Sequence, residues 1–531
     1  MDEVRGSVSV AFEKLTQAIS GREQVIFRQE GRIARLELEL KLREEQLRLA
    51  RIQKYGPKGE QLSQAQVLLL DLEPGVQTDE VEKEAERPEA EKQLKAPDTR
   101  AKGSGRTGRR YSKIHPGRTP LPAHLPRREV ILPCEEGAHG DLIGYEIKEE
   151  LVIMPAEFFV QVLKREKRRV SAGGGITILT APMPPRIVDK GQLDNSVVVE
   201  LMVSKYCDHL PIYRQVNKWE RECGLVLDDA MPVRAVMTGG KLLQPLARLI
   251  GQRLKEGGFI QADETRVPVL QQEGKGRNDI AWFWQYSKPG GLVYFDYQDS
   301  RSRAGPGAFL SDFTGKLQSD GYEVYAPIGR RLSGHAGCWA HARRKFDDSR
   351  KAAPKEAPCQ DSQSMLLLIA ELYVVEAEAR QQELTPEARL QLRQQRGVLA
   401  TLEKIRLRVI DVRQRALPAS LLAKACDYTL KQWERLCVYA REGEVEIDNN
   451  WCENAMRPVA LGRKNWLHLG CQDSGPVVAA IMTVIASARR AGLNPRHYLA
   501  DVLGKMADRA FTTTQLPVLL PENWSPSTPT R

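Results

Sequence analysis

The chain reads as a mixed α/β protein: a sheet opened by an antiparallel meander and later covered by helices. Three observations predict this. Short runs rich in aromatic and β-branched residues cluster between Phe259 and Trp339. Helical periods occupy Leu193–Gly257 before them and Ser364–Ala440 after them. The order of the central runs is strand, strand, strand, helix, strand and a fifth strand, unlike the strict βαβ alternation of a doubly wound sheet.

With 531 residues there is room for several domains, and 41% apolar residues suffice for a core. Net charge is +10, an excess too mild to assign a nucleic-acid partner by itself, so its distribution matters more. The nine cysteines include no CxxC pair. The N-terminus lacks a basic start followed by an apolar core, and Val477–Ala488, the longest apolar stretch, is too short to span a bilayer. A reduced cytoplasmic protein without membrane contact is expected.

From the N-terminus, Ile19, Ile26, Ile33, Leu40 and Leu47 recur every seven residues, with Leu36 and Ala50 on the second seam. Gln29 and Arg43 interrupt that seam. Residues 1–56 therefore read as a coiled coil that joins copies of the chain; the bland alternative is one amphipathic helix lying on another domain. Residues 57–128 form a charge-segregated linker. Its acid-rich part is DEVEKEAERPEAE (Asp79–Glu91), and Thr99–Arg128 holds nine bases, Arg109 and Arg110 among them, and no acid.

Residues 129–190 suggest a small β unit, with strands at Val130–Leu132, Glu150–Ile153 and Ile176–Leu179 and partial helix over Pro155–Arg169. Residues 191–256 are helical. The central strands are expected at Phe259–Ala262, Ala281–Tyr286, Leu292–Asp296, Lys316–Ser319 and near Leu332–Trp339, with a helix over Pro306–Phe313.

Two acids stand where buried strands should end: Asp263 after FIQA and Asp320 after KLQS. Adjacent strands lie about 5 Å apart, so if the first and fourth strands neighbour each other these carboxylates face one another. Ionised together they repel unless a cation intervenes, and hard oxygen ligands suit magnesium or manganese. A third carboxylate on a helix would complete a two-metal site. The run EIDNNWCENAMRPVALGRKNW (Glu446–Trp466) offers Glu446, Asp448 and Glu453. Each acid also has a structural reading: Asp320-Gly321 is a turn pair, Asp263 suits a cap or an exposed edge, and Asn450-x-x-Glu453 matches a capping box.

Taken in order, MVSKYCDHLPIYRQ, QADETRVPVL, QSDGYEVY, GCWAHARRKF and the Glu446–Trp466 run resemble the transposases of the insertion sequence 66 family. HPGRTPLPAHLPR resembles that family's linker, and Ile485–Leu503 with PVLLPENW its C-terminal segment. The resemblance implies a DDE transposase with a ribonuclease-H-like catalytic core. Its first part would be 257–350, its helical insertion 351–445, its second part 446–491, and 492–531 a C-terminal segment. It further implies Asp263, Asp320 and Glu453 as catalytic and metal-holding residues, with two Mg2+ or Mn2+ ions. Water, and later a DNA 3′-hydroxyl, would attack a phosphodiester in line. DNA contacts would come from His341, Arg343, Arg344, Lys345, Arg457, Arg463 and Lys464, with Arg109 and Arg110 of the arm. Transposon ends and target DNA, accessory proteins of the element and a bacterial, nucleoid-associated location also follow. Alternatives are a metal-dependent nuclease without strand transfer and an inactive DNA-binding remnant.

Three departures accompany the resemblance. Many members carry two cysteine pairs after the linker, whereas this chain has Cys134 with His139 nearby and SAGGGITIL (Ser171–Leu179) where a second pair would fall; no zinc is expected there. The helix-turn-helix-like element, Gln215–Leu243, has Pro232 near the start of its second helix, leaving base reading and simple packing equally open. Asn454 follows Glu453 where the family usually has arginine.

Overall fold

The computed structural model describes residues 22, 27–50, 158–172, 175–228, 230–270, 279–354 and 357–526. Outside them lie Ile19, Ile26, the linker with Arg109 and Arg110, the expected strands at Val130–Leu132 and Glu150–Ile153, and Cys134 and His139. Two compact units separate at Lys95 and Ala181. No helix among the described residues is long and apolar enough to cross a membrane.

The smaller unit contains an antiparallel hairpin, β1 (Lys167–Ala172) with β2 (Gly175–Thr180), in register from Lys167↔Thr180 to Ala172↔Gly175. The expected strand at Ile176–Leu179 lies within β2. Partial helix over Pro155–Arg169 is corrected: residues 158–166 carry no helix, and β1 begins at Lys167. Ala172 pairs with Gly175 across two glycines, a connection that favours a hairpin over a helix.

The larger unit opens with α1 (residues 27–50). Leu38, Leu42 and Leu49 on it are half-buried. The heptad residues Ile33, Leu36, Leu40 and Leu47 are 52–60% exposed. Two short helices follow, α2 (Asn195–Tyr206) and α3 (Ile212–Cys223), then the long α4 (Ala230–Lys255). Pro232 falls in the first turn of α4, where its missing N–H costs little. Gly240 on α4 lets the helix approach Val477 and Ile481 so closely that a Cβ there would stand 2.5 Å from Val477.

The central sheet has five strands in the order β5-β4-β3-β6-β7. β3 (Phe259–Val269), β4 (Asp279–Ser287) and β5 (Val293–Gln298) form an antiparallel meander. β6 (Lys316–Gln318) and β7 (Gly334–Ala336) join in parallel on the other side of β3. Between β5 and β6 lies α5 (Ala304–Phe309), and α6 (Tyr325–Gly329) precedes β7. Successive residues of β3 face opposite sides. Phe259 joins the cluster containing Trp339, Phe346 and Ile369. Ile260 and Ala262 join another with Trp284, Tyr286 and Tyr325.

Past β7 comes α7 (Trp339–Ala352), then α8 (Gln360–Gln381), α9 (Pro386–Gln395), α10 (Val398–Arg415), α11 (Leu421–Lys431) and the short α12 (Trp433–Cys437). The chain returns to the sheet through α13 (Asn450–Trp466) and α14 (Ser474–Arg490), and α15 (Pro495–Met506) follows. α14 closes the β5 edge. Thr483 and Ser487 hydroxyls accept the Phe295 and Val293 N–H groups at 2.9 and 3.0 Å, satisfying backbone that an edge strand would leave open.

Two expectations are corrected here. β3 does not end before Asp263; it continues to Val269, still paired with β4. Its pairing with β6 stops at Gln261, so Asp263 lies where one edge of β3 opens. The helix that carries Glu453 runs through Pro458 to Trp466, and the residue preceding it is Asn449, without a side-chain cap. The Glu453 N–H bonds the Asn449 carbonyl, so the Asn450 capping box does not form.

Candidate active site

β3 and β6 pair in the register Gln261↔Gln318. Asp263 and Asp320 each stand two residues beyond that pair. The two glutamine side chains meet directly, Gln261 Nε2 donating to Gln318 Oε1 at 2.8 Å. Both also reach the backbone just before α13. Gln261 donates to the Asp448 carbonyl at 2.9 Å and Gln318 to that of Glu446 at 2.7 Å. Asn449 donates from its amide to the Ala262 carbonyl at 3.0 Å, on the open stretch of β3. These buried bonds fix the start of α13 against the strands that carry the two aspartates, and the sequence repeats the pattern as Q-x-D (QAD and QSD). The glutamines were missed as site residues, yet that repeat was the available signal.

Glu453 sits one turn into α13. Its Oε1 lies 3.7 Å from His341 Nδ1 and its Oε2 3.7 Å from Arg344, both on α7. Burial raises the Asp263 carboxyl well above its ordinary range, and Glu264, Glu453 and Asp320 push it further in the same direction. Asp320 and Glu453 therefore lie within electrostatic reach of Asp263. Burial lowers the His341 imidazole, against the pull of Glu453 and Asp320. Asp320 also keeps its turn role, accepting the Tyr322 N–H at 2.8 Å. Asp263, Asp320 and Glu453 are oxygen donors of the kind a hard divalent cation takes, but among the described residues the group whose ligand atoms lie within 4.8 Å of one another is Cys338, His341 and Glu453 rather than the three acids.

The other two acids of the Glu446–Trp466 run are already engaged. Glu446 is buried and paired with Arg389 at 2.7 Å and Arg380 at 3.3 Å, from the helical segment. Burial alone would raise its carboxyl, but Arg389 and Arg380 outweigh it and hold it low. Asp448 accepts the Asn450 N–H at 3.1 Å and its amide at 3.0 Å. A fourth acid unforeseen in the sequence, Glu264, has its side chain buried beneath Arg301, with Tyr325 donating to it at 3.1 Å.

The basic residues divide. Arg344, Arg457 and Lys464 are exposed. Lys345 lies 4.7 Å over the Tyr428 ring, and Arg343 is half-buried. Arg463 is committed to protein: it bonds the Arg266 carbonyl and the Thr265 hydroxyl beside the open edge of β3.

Comparison with known proteins shows the family of the chain. The model of the "Transposase IS66 family" matches residues 190–476, spanning both aspartates and Glu453. That of "Transposase C of IS166 homeodomain" matches residues 43–130. Among relatives, uncharacterized protein y4jD of Sinorhizobium fredii is 32% identical over 428 residues, covering 76% of this chain and 81% of that protein. Uncharacterized protein y4qI of the same organism is 30% identical over 437 residues, covering 77% and 79%. The chain belongs to the IS66 family of transposases.

Proposed function

We propose that this chain is a DDE transposase whose ribonuclease-H-like core cleaves DNA at transposon ends and joins it to a target. The observation that carries this reading is the pairing of β3 with β6, which sets Asp263 and Asp320 at matching positions with Glu453 within electrostatic reach. The meander followed by two parallel strands, and the helices inserted before Glu453, support the core assignment.

Asp263, Asp320 and Glu453 would hold two Mg2+ or Mn2+ ions, which supply charge stabilisation for in-line displacement at phosphorus. The chain's own residues set the geometry. The Gln261–Gln318 bond holds the two strand carboxylates in register, and α13 brings Glu453 to them. Arg344, Lys345, Arg457 and Lys464 lie on the two helices that meet at the site and neutralise backbone phosphates. Arg463 keeps the open edge of β3 seated against α13, a supporting role rather than the DNA contact expected from its motif. The exposed seam of α1 joins a second copy of the chain.

The test is an assay with cognate transposon ends and magnesium. Nicking and joining by the wild type, both lost in Asp320→Ala while DNA binding persists, supports the proposal. Cleavage with no joining would instead point to a nuclease, and DNA binding with neither activity to an inactive remnant.

A further inference from the structure

Beside the three carboxylates lies a second constellation with different chemistry. Cys338 immediately precedes α7 and His341 follows one turn later, so a C-x-x-H pair shares one face of the helix start. Glu453 approaches the pair from α13. Cys338 Sγ, a His341 ring nitrogen and a Glu453 carboxylate oxygen all lie within 4.8 Å of one another. His341 Nδ1 and Glu453 Oε1 are both buried and neither has a hydrogen-bond partner. At 3.7 Å they are too far apart to bond each other. Cys338 is 1% exposed, and its sulfur accepts the Asn449 N–H at 3.3 Å. Two orphaned polar atoms and a buried sulfur thus converge on one point.

From this geometry we propose that Cys338, His341 and Glu453 form a binding site for a soft divalent cation of the Zn2+ type, distinct from the hard-ion site of the aspartates. Sulfur and imidazole favour zinc over magnesium. Tetrahedral zinc with these ligands sets donor atoms roughly 3.3–3.6 Å apart, so the three need to close by at most about 1.5 Å around the ion. Binding releases the Cys338 thiol proton to solvent as the S–metal bond forms. The site is also separate from the cysteine pairs missing after the linker, where the absence of zinc was expected.

Glu453 is common to both sites. On the proposed function above, zinc held here draws Glu453 toward α7 and away from Asp263 and Asp320, so zinc inhibits magnesium-dependent DNA cleavage. Inhibition rests on that reading; binding does not.

The experiment titrates Co2+, a spectroscopic stand-in for Zn2+, into the metal-free full-length protein. Binding is expected to give a thiolate-to-cobalt charge-transfer band saturating at one equivalent and abolished by added Zn2+. Cys338→Ser should lose the band while keeping the wild-type melting temperature, and His341→Ala should weaken cobalt binding by more than about tenfold. A band undiminished in Cys338→Ser, or none in folded wild type, would overturn the site. In parallel, the ratio of DNA nicking with and without zinc is measured for wild type and Cys338→Ser. Zinc should depress only the wild type; equal depression of both overturns the inhibitory link. If neither nicks DNA under any condition, the transposase reading fails while the cobalt titration still decides the site.

Discussion

Gln261 and Gln318 are joined side chain to side chain at 2.8 Å, each two residues ahead of an aspartate on adjacent parallel strands. The bond is fully buried, and both amides also hold the backbone leading into α13. It couples the spacing of the strand carboxylates to the position of the helix that carries Glu453. Replacing Gln318 with Ala leaves buried carbonyls and the Gln261 amide short of partners, at a cost of about 1–3 kcal/mol. Denaturant unfolding should show that loss. A double-mutant cycle with Gln261→Ala should give a non-additive term, whereas additive losses would mean that the pair does not act as a unit.

Glu446 makes a pH-dependent contribution. Its folded carboxyl is held below its ordinary value of 4.5 by Arg389 and Arg380 against the effect of burial. A depressed carboxyl contributes stability that is present above the unfolded value and lost as pH falls through the folded one. Stability should therefore drop on acidification below about pH 4.5, and less steeply in Glu446→Gln. At neutral pH, Glu446→Ala removes the acid that pairs with the half-buried Arg380 and Arg389 and should cost about 1–3 kcal/mol. An Ala variant as stable as the wild type at pH 7 would contradict this pairing.

Asp263 behaves in the opposite sense. Its carboxyl is raised by burial and by Glu264, Glu453 and Asp320, so the metal-free fold favours its protonated form. Stability from that form is full below the unfolded value and lost as pH rises toward the folded one. Asp263→Asn should accordingly melt higher than wild type at pH 7 without metal. Magnesium should narrow the difference by stabilising the wild type selectively. An Asn variant that melts lower in the absence of metal would count against carboxylate crowding.

On α1 the heptad residues Ile33, Leu36, Leu40 and Leu47 are exposed while Leu38, Leu42 and Leu49 are half-buried. A seam left outside a helix already packed along another stripe is suited to a second helix. Leu40→Glu should shift the oligomer toward monomer in sedimentation velocity at micromolar concentration. If mass is unchanged, the seam does not join copies.

Strand order was legible because the apolar runs of the sheet are short, separate and rich in β-branched and aromatic residues. The length of β3 was not. Asp263-Glu264-Thr265-Arg266 is polar throughout and reads as a strand end, yet β4 pairs with every one of these residues. Only tertiary contacts make so polar a stretch extended: Glu264 is covered by Arg301 and Tyr325, and Arg463 reaches Thr265. Local spacing alone does not separate Glu446 and Asp448 from Glu453, for a similar reason; the preference for Glu453 comes from the family resemblance. The partners that occupy Glu446, Arg380 and Arg389, lie on helices far upstream, and local spacing does not reveal such pairs. Strand β1 of the hairpin escaped because KRRVSA is strongly charged, and charge is a weak strand signal.

The most direct test compares Glu453→Gln with Asp448→Asn for nicking of cognate transposon ends in magnesium. Glu453 is expected to be the third carboxylate, so Glu453→Gln should bind the ends and nick at least about a hundredfold more slowly. Asp448→Asn, whose carboxylate is bonded to Asn450, should lose stability but keep measurable nicking. Full activity in Glu453→Gln, with activity abolished in a folded Asp448→Asn, would contradict the assignment of Asp263, Asp320 and Glu453 as the catalytic set.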